Sequence, residues 1–134
     1  MPNTTHHLAA DSYRSGEIAH ALALASEITD APGAEGPGEV VAGSLAALAY
    51  LIRVGSATRS DAILGECEVI YRRTRCQLDA WRLDAGCEDW GNADWSRGEV
   101  CAVSECEETL ARLRVALLAW ARETAPATAE RLAA

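Results

Sequence analysis

The segment from Cys87 to Cys106 holds three cysteines, two tryptophans and five acidic residues in twenty positions. Thiolates in close pairs bind zinc, and thiols facing each other across a hairpin can oxidise to disulfides. A zinc knuckle needs ligand pairs on turns that let both sulfurs converge. Cys101 and Cys106 are expected on one continuous helix, where five residues turn by about 500° and leave the side chains about 140° apart. Cys67 and Cys76, nine residues apart on another helix, diverge by about 180°. For disulfides, hairpin register pairs Cys76 with Cys106 and Cys87 with Cys101, whereas facing geometry favours Cys67 near Cys106. The two criteria conflict and the cysteine count, five, is odd. Buried, reduced thiols are the expectation.

Glu17 and His20 form a Glu-x-x-His pair, the spacing that puts a carboxylate and an imidazole on one helix face in di-iron bundles. A second such pair is missing, so no metal site and no cofactor is expected, with Glu17 and His20 the only metal candidates. His6-His7 has no third ligand at a fixed distance. Neither a nucleophile elbow nor a Lys-bearing phosphate loop occurs.

Leu48, Leu51, Gly55, Thr58 and Asp61-Ala-Ile63, followed by Ile70-Tyr71-Arg72-Arg73, resemble a helix-turn-helix segment. That resemblance implies DNA contacts by Arg72, Arg73 and Arg75. An unbroken helical seam from Ile63 to Trp81 is the competing account.

The elements that would position these residues are helices. A first helix is expected from about Asp11 or Ser12 to Asp30, with Ile18, Leu22, Ala25 and Ile28 on one stripe. The loop Ala31–Gly38, with two prolines and three glycines, ends it. A second helix, Glu39–Val54, is apolar nearly all round and should be buried, with Gly55 as its stop. A third helix, from about Arg59 to Ala85 and capped by Thr58, carries the seam Ile63, Cys67, Ile70, Thr74, Leu78 and Trp81. A fourth, starting between Asp94 and Glu99 and ending near Thr124, carries Val103, Cys106, Leu110, Leu113, Leu117 and Trp120 at heptad spacing. The expected fold is all-α: one domain over residues 1–134, a four-helix bundle with a long antiparallel hairpin formed by the third and fourth helices. Residues 1–10 are expected as a flexible arm and 126–134 as a C-terminal tail.

Composition narrows the function classes. The chain has 134 residues, a net charge of −8 and a pI near 4.8. An acidic chain disfavours nonspecific binding to nucleic acid or anionic membranes. Every basic residue is Arg, which fits GC-rich codon usage and a bacterial source. The N-terminus lacks the basic and apolar regions of a signal peptide, and the apolar run Val40–Ile52 is short for a bilayer span. A cytoplasmic location follows as the expectation. With no catalytic grouping, the chain is expected to work by protein–protein interaction, as a homodimer or with an accessory partner, rather than as an enzyme. A DNA-binding regulator and a metal-dependent or small-molecule-binding bundle enzyme are the rival readings. Trp is enriched at binding hot spots, so Trp81, Trp90, Trp95 and Trp120 are the expected contact residues.

Overall fold

A computed structural model of the chain describes residues 16, 18–27, 36–87 and 93–134, without the side chains of 85–87 and 93–97. It is all-helical, with no strand among the described residues. Residues 18–27 form α1. α2 spans Pro37–Thr58, α3 Asp61–Cys87, α4 Ala93–Thr124 and α5 Pro126–Ala133.

Proline opens two of these helices. Pro37 sits in the first turn of α2 after an extended Gly36, where its missing N–H leaves no bond unmade. Pro126 does the same for α5. It cannot donate to the α4 ladder, and it pushes Ala125 out of helical geometry. The segment expected as a tail is therefore a fifth helix, which buries Ala129 and Leu132. Its seam is too short to read from spacing alone.

The α2–α3 corner departs from expectation. Gly55 does not stop α2; the helix runs on to Thr58, and Arg59 takes the left-handed conformation (φ 52°). The N–H groups of Arg59 and Ser60 both reach the Gly55 carbonyl, closing the helix as a glycine normally would. Ser60, not Thr58, caps α3: its Oγ accepts from Ile63 N–H at 3.2 Å. Thr58 instead donates back to the Val54 carbonyl at 2.8 Å.

The core follows the periodic residues. All six members of the α3 seam are buried, Thr74 by donating its hydroxyl to the Ile70 carbonyl at 2.7 Å. On α4, Val103, Leu110, Leu117 and Trp120 are buried, and Cys106 and Leu113 half-buried. α1 contributes Ala21 and Ala25. α2 supplies Val41, Leu45, Leu48, Leu51 and Ile52 on its inner faces. At 22 residues and a mean hydropathy of 1.6, α2 is the one helix among the described residues that passes the length and apolarity test for a bilayer span. The short apolar run Val40–Ile52 does not by itself set that limit. Packing explains the apolarity of α2, since it touches both α3 and α4.

Small residues on α2 set the spacing. Ser44 is buried and donates to Gln77 Oε1 on α3 at 2.9 Å. A methyl group on Gly55 would overlap the Trp120 ring and lie 2.5 Å from Ile63 Cγ2. Gly55 is thus the notch in which α3 and α4 meet α2.

Gly55→Ala should therefore destabilise the fold by about 1–3 kcal/mol despite the better helix propensity of Ala. Gly65 lies in α3 with open space where a methyl would go, so Gly65→Ala should stabilise by about 0.5–1 kcal/mol. Urea midpoints of the two variants should move in opposite directions; a matching shift would contradict the notch.

Candidate functional site

Four of the twelve arginines converge on one groove. Arg72 and Arg75 come from α3, Arg114 from α4 and Arg131 from α5, around a cavity of about 320 Å³. Tyr71, Cys76 and Leu132 also line it. On α3, residues 71, 72, 75 and 76 fall on one side at helical spacing. α5 delivers Arg131 and Leu132 because Pro126 turns the chain back at the end of α4.

Arg114 holds α5 in place. Its Nε and Nη2 donate to the Leu132 carbonyl at 3.1 and 3.0 Å, and Nη2 also to the Ala133 carbonyl at 3.1 Å. These are carbonyls at the C-terminal end of α5, which are left without helical partners and carry partial negative charge. Arg131 then clamps the other side: Nε and Nη2 donate to both Glu68 oxygens at 2.8 and 3.1 Å. Arg72, four residues on along α3, reaches the same carboxylate at 3.4 Å. Arg75 pairs with Asp79 at 2.8 Å.

The charge balance is lopsided. Four guanidiniums share two side-chain carboxylates, Glu68 and Asp79, and Ala134 also lines the groove. The Glu68 side chain is only 13% exposed. Its hydrogen bonds from Arg131 hold its pKa below the ordinary 4.5, with desolvation partly opposing and Arg72 adding to the effect. Among the described residues, no carboxylate pairs with Arg114.

The residues singled out from sequence are distributed otherwise. Trp81 and Trp120 are core residues, 5% and 6% exposed. Trp81 packs its ring on Gly38 and donates Nε1–H to Glu99 Oε1 at 3.1 Å; Trp120 fills the Gly55 notch. Buried to that degree, neither offers a partner much surface, because glycines on α2 make room for both rings. Trp90 and the Trp95 side chain lie outside the described residues. Of the three arginines assigned to DNA, Arg72 and Arg75 share the groove, while the exposed Arg73 does not line it. α3 is unbroken from Asp61 to Cys87, so no turn follows Ile63 as a helix-turn-helix would need.

Glu17 lies outside the described residues, and His20 lines a separate hollow with Tyr50, Arg53 and Thr58. Among the described residues, no three His, Cys, Asp or Glu side chains cluster closely enough to hold a metal ion. Cys67, Cys76, Cys101 and Cys106 are free thiols. Burial, with a smaller push from Glu66, raises the Cys67 pKa to about 12, so this thiol stays protonated and inert. Cys106 is raised for the same main reason, burial, with Glu105 adding. Cys76 and Cys101 are the exposed thiols.

Sequence reasoning missed Arg114 and Arg131. Neither has a motif around it; the packing of α4 on α3 brings Arg114 to Arg72 and Arg75, and the turn at Pro126 adds Arg131. Comparison of the chain with family models, with curated proteins and with solved structures found no match.

The sign of the Glu68 effect gives a pH test. A lowered folded-state pKa contributes stability above the unfolded carboxylate value and loses it as pH falls through the folded value. Glu68→Gln should lower the melting temperature at pH 7, and its gap from the parent should shrink below pH 4.5, the ordinary value. A gap that stays constant under acid would contradict the clamp.

Proposed function

We propose that the chain is a helical-bundle protein that acts through protein–protein interaction, receiving an acidic segment of a partner in the groove between α3, α4 and α5. In this reading α1–α4 are the four-helix bundle, and α3 and α4 are its antiparallel hairpin. Trp81 and Arg82, late in α3, touch Glu99 and Glu107 in α4, and α5 folds back beside them as an addition. Self-association and a cytoplasmic location belong to the same proposal and rest on the sequence features above.

One observation carries it: a third of the arginines gather in one groove of a molecule whose net charge is −8. Scattered arginines would serve solubility. Converged ones repel each other and gain from an anionic partner. A cavity of about 320 Å³ suits one or two acidic side chains, so the partner would insert a short segment rather than dock a whole face. The rest of an acidic surface repels an acidic partner, which restricts it to the groove.

A fluorescent hexaglutamate peptide is the probe. It should bind the full chain at low salt and weaken as salt rises. Arg72→Glu with Arg75→Glu should reduce its affinity about tenfold, the scale of two screened charge contacts turned repulsive. Unchanged affinity in the double variant would remove the groove from the reading. Binding of duplex DNA with loss on Arg72→Ala and Arg73→Ala would replace it with the DNA-binding one.

A further inference from the structure

Within the groove the four arginines are not equivalent. Arg72 and Arg131 share Glu68, and Arg75 has Asp79. Arg114 alone spends its hydrogen bonds on uncharged carbonyls, those of Leu132 and Ala133. Three contacts fix its guanidinium through Nε and Nη2. Among the described residues, Nη1 makes no hydrogen bond. A guanidinium held this way is oriented before any ligand arrives, which lowers the ordering cost of binding.

We propose that the groove contains a preformed subsite for a single oxyanion of the phosphate or carboxylate class, with Arg114 as its anchor and Arg72, Arg75 and Arg131 as its rim. The proposal deepens the partner reading above and rests on it: this is the point where the partner's acidic group seats. Arg75 adapts readily, since an exposed ion pair such as Arg75–Asp79 is worth little and exchanges partners cheaply, whereas Arg131 stays on Glu68 and adds charge at the edge. Arg114 presents the two N–H groups of Nη1, and a fork from Arg75 can take the paired oxygens of either ligand class. The groove, about 320 Å³ and open to solvent on one side, has room for phosphate or citrate. Tyr71 and Leu132 supply less polar wall, and the net charge of −8 keeps anions off the rest of the surface.

Cys76 reports on occupancy. It is exposed and lines the groove, whereas Cys101 is exposed and does not line it. The experiment follows labelling of the full chain by N-ethylmaleimide, a neutral reagent, at constant ionic strength, with inorganic phosphate, citrate or hexaglutamate added. Phosphate and citrate should slow labelling at Cys76 and leave Cys101 unchanged. Arg72→Gln with Arg75→Gln, both at exposed positions, should raise the half-protecting concentration about tenfold. Arg114→Gln should abolish protection. Because it also loosens α5, the double variant is the deciding one. Equal slowing at both cysteines, or protection indifferent to the double variant, overturns the subsite. Protection by hexaglutamate but by neither small anion removes the subsite and keeps the partner reading. Protection by none of the three removes both.

Discussion

The close approach at Gly55 governs the arrangement of the helices. α2 turns Val41, Leu45, Leu48, Leu51 and Ile52 inward and leaves Ala42, Ala46, Ala49 and Arg53 exposed, and at Gly55 its partners reach the backbone itself. At Gly55 the Trp120 ring from α4 and Ile63 from α3 meet the same patch of backbone. That contact fixes the rotation of α4, and the rotation decides which residues face in. Leu110, Leu117 and Ala121 turn to the core with Trp120. Arg114, on a different side, is left facing α3 and α5. The groove is thus a consequence of how a tryptophan is seated elsewhere on the same helix.

α5 converts that orientation into a site. The turn at Pro126 sends eight residues back along α4, and two apolar residues, Ala129 and Leu132, anchor them. So short a helix is not stable by propensity alone. Docking supplies what is missing: Arg114 satisfies its terminal carbonyls, and Glu68 pairs with Arg131. The same contacts bring a fourth guanidinium beside three others. The contacts that dock α5 are therefore also those that gather the guanidiniums, and Glu68, by keeping its charge, holds α5 while offsetting part of theirs.

Much of the fold was legible in the sequence. Burial in a helix repeats every 3.6 residues, so Ile63 to Trp81 and Val103 to Trp120 could be read as inward-facing lines without any knowledge of their neighbours. The proline before α5 was legible as an end to α4 but not as the start of a docked helix. Gly55 reads as a stop because glycine commonly ends helices; that it accommodates a ring from 65 positions further on is a tertiary fact. The groove was the least legible. Arg72 and Arg75 stood out as a basic cluster, but Arg114 and Arg131 are single arginines in ordinary helical sequence. Trp81 and Trp120 stood out as unusual residues in a chain poor in aromatics, and the glycines of α2 turn them into core.

An oxyanion visible by its own scattering gives the most direct test of the arginine groove. A crystal structure of the full chain with tungstate, a tetrahedral stand-in for phosphate, should show the anomalous peak of tungsten within hydrogen-bonding reach of Arg114. Arg75 or Arg131 should be turned toward it, with α5 docked along α4. A well-ordered structure with α5 docked and tungstate bound only elsewhere would contradict the claim that these four arginines form an anion receptor.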